Sequence, residues 1–187
     1  MKVLNILLSI GVLVAGYFLF RTIKEPIEFN TAKEKRDAAV IEKLTYIQTL
    51  QLAYKDVHGQ FSGTFDSLAL FVQQDSMKIT KVIGDPDELD AEGNPVPVTY
   101  EVYKIPVKDS LSNSNFDLQD LASIPNVEGE KFSIASSKVE RGRIIVPVFE
   151  VIATNEQILK GLKSKYIEPN RNIKVGSLTE PNYNGNW

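Results

Sequence analysis

The sequence predicts an α+β fold in which an N-terminal transmembrane helix continues into a long amphipathic helix packed on a small antiparallel β-sheet. Three observations predict it. The chain opens on an uncharged apolar run, VLNILLSIGVLVAGYFLF, from Val3 to Phe20. A stripe of apolar residues at helical spacing follows between Val40 and Val57. Beyond Gly59 come one short helical pattern and then several short segments of period two, separated by turn residues.

At about 1.5 Å per residue the first run covers roughly 27 Å, close to the hydrocarbon thickness of a bilayer. Lys2 precedes it, and Arg21 and Lys24 follow it. Residues 1–24 are therefore read as a membrane anchor. A cleaved secretory signal is the competing reading, with Lys2 as its basic start and the small Ala15 and Gly16 near its end. Two features count against cleavage: no clear A-x-A motif follows, and Tyr17-Phe18-Leu19-Phe20 are bulky where a cleavage site needs small residues. Aromatic residues followed by Arg21 fit an interfacial belt. Basic residues flank both ends, and Lys2 with the α-amino group favours a cytoplasmic N-terminus.

Roughly 160 residues remain after the anchor, enough for one domain with its own core. The net charge of -3 is mild, and no basic patch with interleaved aromatics supports nucleic-acid binding. There is no Cys, which excludes disulfides, thiolate metal sites and Cys nucleophiles. The single His, His58, lies in Asp56-Val57-His58-Gly59, where a cation favours a helix C-terminus. An enzymatic role is not expected.

Residues 25–59 are read as the amphipathic stalk and residues 60–187 as the globular head. Pro26 either kinks a continuing helix or opens a new one at its first turn. Thr31-Ala32-Lys33-Glu34 has the capping-box pattern, so a break is placed anywhere from Lys24 to Thr31. Val40, Leu44, Ile47, Leu50, Tyr54 and Val57 form the stripe, widened by Tyr46 and Ala53. Lys43 and Gln51 fall on or beside it and must reach its rim or find partners. Ile41 and Leu52 fall off it and leave room for a second, weaker apolar surface. The charged turns from Lys33 to Asp37 are expected in solvent, with docking beginning near Ala39.

Gly59 ends the helix as a C′ glycine. Thr64 or Ser62 caps a short helix over Phe65 to Val72. Lys78–Ile83 and Val98–Val107 alternate as strands, the second at an edge because of Pro106. Asp85 to Pro97 between them is an acidic turn. Lys108 to Glu130 is polar connection with a helical turn at Leu118–Leu121. Phe132–Val139 and Arg143–Ile152 form a hairpin across Glu140-Arg141-Gly142. Glu156–Leu162 is a short helix, and Ile173–Leu178 a last strand.

This organisation resembles the type IV pilin and type II secretion pseudopilin family. Beyond architecture, the resemblance is carried by Leu52-Ala53-Tyr54-Lys55-Asp56-Val57-His58-Gly59-Gln60-Phe61, similar to the family's A-Y-x-x-x-x-G-x-Y-P helix end, with Ser62 at the family's Pro. Gly185-Asn186-Trp187 is weakly similar to the tail of major pseudopilins. The family carries a leader ending in Gly and a glutamate in the span. Here no such leader is read, and Asn5 stands at the glutamate's place. The resemblance implies a structural subunit of a bacterial secretion or pilus-type assembly, single-span in the inner membrane, with a periplasmic head. Its partners would be membrane lipid and copies of itself or other envelope-assembly proteins. A single-span accessory or scaffold subunit that forms no filament is the alternative, and a small-ligand-binding head, which needs a concave apolar pocket, is another.

Asn5, Ser9, Gly11, Ala15 and Gly16 are the residues expected to carry assembly in the span, because close helix approach needs small or hydrogen-bonding side chains. Val40, Leu44, Ile47, Leu50, Tyr54 and Phe61 are expected to hold helix and head together, with Tyr54 and Phe61 packing against each other beneath the Gly59 turn. No cofactor is expected. Asp85 to Asn94 is the densest oxygen cluster, but its spacing is not that of an EF-hand and a solvated loop is the simpler reading. Family resemblance points calcium instead to the tail, where Glu180, Asn182 and Asn184 are the candidates. Lys138 to Arg143 reads as a solvated charged turn.

Overall fold

The computed structural model describes residues 2–83, 85, 98–112 and 116–187, without the side chains of residues 2–7, 9 and 164. It is α+β, with a long N-terminal helix and small antiparallel sheets. Helix α1 runs unbroken over Lys2–His58, 57 residues, through Pro26. Neither expected start within residues 24–31 is used. Pro26 leaves the Thr22 carbonyl without its helical donor. The Thr31 hydroxyl donates back to the Ile27 carbonyl (2.9 Å), a mid-helix bond and not an N-cap. Gly59, at φ +72°, ends the helix and donates its N–H to the Lys55 carbonyl (2.7 Å).

Among the described residues no helix is long and apolar enough to cross a membrane. The uncharged run of the sequence reaches back to Val3, beyond where the described side chains begin.

The distal half of α1 is the centre of the core. Val40, Leu44, Ile47 and Leu50 are fully buried, and Tyr46 nearly so. Lys43 and Gln51 lie in the stripe and are buried as well, each with its polar end satisfied. The Lys43 ammonium donates to the carbonyls of Asp120 and Ser123, both at 2.7 Å. Burial pushes its pKa down, and the Asp120 carboxylate opposes that. The Gln51 amide donates to the Ser62 carbonyl and accepts from the Ser62 N–H, both at 2.9 Å. Replacing it with an apolar side chain strands both backbone groups in the core. Gln51→Leu is expected to cost about 1–3 kcal/mol in urea unfolding; a variant as stable as the parent would contradict this bracing role.

Docking begins well before Ala39, which corrects the expected solvated start. Phe29 is buried against Tyr166 (ring centroids 5.2 Å). Lys33 and Asp37, an ion pair, are half-buried, as is Arg36. Arg36 donates to the carbonyls of Ile158 and Lys160, both at 2.9 Å. These turns pack through long charged side chains, so no apolar stripe announces them.

Helix α2 (Phe65–Gln74) is capped by Thr64, whose hydroxyl accepts from the Ser67 N–H. It contributes Leu68, Phe71 and Val72 to the core. Strands β1 (Ser76–Ile83) and β2 (Thr99–Pro106) form a two-stranded antiparallel ribbon in register Ser76↔Pro106 to Ile83↔Thr99. A bond from the Val107 N–H to the Asp75 carbonyl (2.9 Å) closes its base. The acidic turn between these strands lies outside the described residues except for Asp85. Helix α3 (Val107–Leu111) buries Val107, and a 3-10 turn covers Leu118–Asp120.

The second sheet has order β3-β4-β5, from β3 (Ser133–Arg141), β4 (Ile144–Ala153) and β5 (Ile173–Gly176). Arg141 pairs with Ile144, leaving a two-residue turn with Gly142 (φ +67°) first, as a type II′ hairpin requires. Val151 and Val175 pair in the centre and are fully buried. Helix α4 is only Asn155–Ile158, with a Thr154/Gln157 capping box. It is shorter than expected because the chain turns through Gly161 at φ +82°. The tail then runs back along β5. Gly176 N–H donates to the Asn184 carbonyl (3.0 Å) and Asn186 N–H to the Lys174 carbonyl (3.1 Å), which covers this edge of the sheet.

Candidate assembly surfaces

From Leu8 to Phe20 every described side chain is exposed, as are Ile23 and Ile27. A helix apolar all round is stable in water only when something covers it. Gly11 and Ala15, four residues apart, lie on one side of this helix, and a Cβ added at Gly11 or Gly16 would meet nothing within 4 Å. The backbone is thus open to close approach along that part of α1. The side chains of Asn5 and Ser9 lie outside the described residues.

The packing residues are placed differently from one another. Val40, Leu44, Ile47, Leu50 and Phe61 are buried, while Tyr54 is half-buried. Tyr54 and Phe61 do not pack on each other as expected. Tyr54 lies against His58 (4.3 Å) and Phe71 (5.3 Å), whereas Phe61 packs on Phe149 (4.6 Å) and Tyr183 (5.1 Å). The chain turns at Gly59 between them, and the two rings meet different partners in the core. Lys55 spans the Tyr183 and Phe61 rings at 4.8 and 5.4 Å.

Where α1 leaves its apolar run, a cluster of charges ties it to the head. Glu25 accepts from Arg21 Nε (2.7 Å), Lys163 Nζ (2.8 Å) and Lys165 Nζ (3.0 Å). Bonds from Lys163, then Arg21 and Lys165, hold its carboxyl down at about 2. Sequence reasoning missed this cluster, because Glu25 and Lys165 are 140 residues apart and no local pattern links them. The sign of its pH dependence follows from the lowered value. The stabilisation is present above the ordinary carboxylate value of 4.5 and is lost as pH falls through about 2. The difference in Tm between the parent and Glu25→Gln should therefore stay constant at neutral pH and shrink between pH 4.5 and 2. A difference independent of pH across that window would exclude an ionic origin.

The β1–β2 ribbon presents apolar side chains on both faces. Val82 and Tyr100 pair on one face beside Val102, and Ile79 pairs with Tyr103 on the other; all five are exposed. At the β3–β4 tip Ile144 and Ile145 are exposed too. Two surface hollows are lined by mixed side chains. One, of about 260 Å³, lies between Ala53, Asp56, Val57, Ser76, Met77 and Lys78. The other has Gln73, Lys108, Ser112, Asp117 and Gln119 beside Phe116 and Leu118. Neither has the mainly apolar lining of a small-molecule site.

Among the described residues no cluster of three acidic or histidine side chains is placed to hold a metal ion. In the tail, Asn182 accepts the Asn184 N–H, and Glu180 lies 4.0 Å from Arg141. No protein-family model matches the chain, and neither a curated protein nor a solved structure matches it.

Proposed function

We propose that this chain is a membrane-anchored, pilin- or pseudopilin-like structural subunit of a bacterial secretion or pilus-type envelope assembly. Its mechanism is association and not catalysis. One observation carries the reading: a single 57-residue helix is docked on an α+β head from Glu25 onward, while every described side chain from Leu8 to Phe20 is exposed. A bilayer and neighbouring helices cover such a run. The placement proposed is a single span in the inner membrane, N-terminus in the cytoplasm and head in the periplasm.

The exposed ribbon favours a second reading, a single-span accessory subunit that holds a different envelope protein and forms no filament. Val82, Tyr100 and Val102 give it a contact surface away from the anchor. Purification of the native protein from membranes in mild detergent separates the two, using electron microscopy and mass spectrometry of the eluate. A regular array of this chain supports the first reading. One copy bound to unrelated envelope proteins replaces it with the second. Within the span, Asn5→Leu with Ser9→Leu should weaken self-association by about 1 kcal/mol. Unchanged self-association in membranes would remove the polar contribution.

A further inference from the structure

We infer that the Lys163–Tyr166 turn of the head is a bilayer-contacting platform that binds the phosphates of anionic phospholipids, an inference that rests on the membrane-anchor reading. Phe20 is the last residue of the uncharged run, and Glu25 follows five residues later, roughly 7.5 Å further along the helix. The headgroup layer on each side of a bilayer is roughly 5–8 Å thick. Glu25 thus lies at headgroup level. Lys163 and Lys165 bond directly to its carboxylate, so this part of the head shares that level.

Charge and exposure then select the ligand. Three cations, Arg21, Lys163 and Lys165, surround the Glu25 carboxylate, while Lys24 pairs separately with Glu28, whose side chain is 64% exposed. The Glu25 side chain keeps only 14% of its surface exposed, whereas these three cations keep 54–60%. Glu25 is covered by the ions that it holds, and the outward face of the cluster is therefore positive. A carboxylate used in this way fixes the ammonium groups in position and leaves their other protons free for oxygen acceptors. Tyr166, packed on Phe29 with Lys165 over its ring at 4.6 Å, and the exposed Ile23 and Ile27 provide the amphipathic surroundings found at a membrane surface. Basic groups fixed at this depth attract anionic lipid.

The test uses the full chain, one copy per nanodisc, in discs of phosphatidylcholine alone or with about 30% phosphatidylglycerol. Hydrogen exchange is followed across residues 159–168. The expected result is exchange about threefold slower in the anionic discs, reversed by salt. The lipid dependence should vanish in the Lys163→Gln, Lys165→Gln double variant. Equal exchange in the two discs, with the chain incorporated in both, would overturn the platform and leave the anchor standing. A chain that enters neither disc would overturn the anchor reading itself.

Discussion

Gly176→Ala is expected to destabilise the head by about 3 kcal/mol. Gly176 ends β5 at φ +79°, where an L side chain is strained whatever the space around it. Space is also lacking, since a Cβ there would lie 2.2 Å from the Phe149 carbonyl oxygen and 3.1 Å from its carbon. Both are backbone atoms of the paired strand and cannot rotate away. Relief requires β5 to move from β4, and the Gly176 N–H also holds the tail at Asn184. Strain in the left-handed region costs about 1–2 kcal/mol, and the clash adds about 1–3. For a head of this size the combined cost lowers Tm by roughly 6–12 °C. Gly59→Ala is the control: φ is +72°, but nothing lies within 4 Å, so only the strain of about 1 kcal/mol remains. Equal losses at the two glycines would mean that the close approach to Phe149 has no energetic weight.

Phe149→Ala carries the second large effect, about 3–5 kcal/mol. The Phe149 ring is fully buried, 4.6 Å from Phe61 and 6.2 Å from Tyr183. Through these two rings it joins the sheet to the Gly59 turn and to the tail. Tyr183 in turn donates its hydroxyl to the Pro147 carbonyl (3.1 Å), and its own carbonyl accepts from the Gln48 amide (2.8 Å). Truncation leaves a cavity that three separately anchored elements cannot collapse to fill. Ile144→Ala in the same strand tests specificity: its side chain is 68% exposed, and the expected change is within about 0.5 kcal/mol. Denaturant unfolding of both variants distinguishes a packed aromatic hinge from a generic loss of strand propensity, which would give similar values.

The readability of the sequence followed the range of the interactions. The stripe from Val40 to Leu50 was legible because burial on one helix face repeats every three or four residues. The Gly59 stop and the hairpin around Gly142 were legible because a positive φ demands glycine. The hairpin boundaries were not, and β3 extends to Arg141 because its register is set by pairing with β4. The early docking of α1 was hidden for a different reason. Lys33, Arg36 and Asp37 read as solvated by residue type, and Arg36 finds its carbonyl partners more than a hundred residues later. Lys43 and Gln51 stood out as misfits on an apolar face, but no local signal named Asp120, Ser123 or Ser62 as their partners. The different partners of Tyr54 and Phe61 depended on how the chain continues past the helix end, which is a tertiary outcome. The exposed ribbon showed its strands by alternation, yet alternation alone assigned neither face to solvent.

We propose that α1 anchors the chain in a membrane and carries the head outside it. The direct measurement is a topology assay on the full chain in bacterial cells. The absence of native Cys makes single reporters unambiguous. Lys2→Cys and Glu156→Cys would each be treated with a membrane-impermeant maleimide, before and after lysis, and membranes would be washed at alkaline pH. An anchored chain stays with the washed membranes, its Glu156→Cys variant reacts once the outer membrane is permeabilised, and its Lys2→Cys variant reacts only after lysis. Release of the protein by the wash, or reaction of both reporters from the same side, would contradict the proposal.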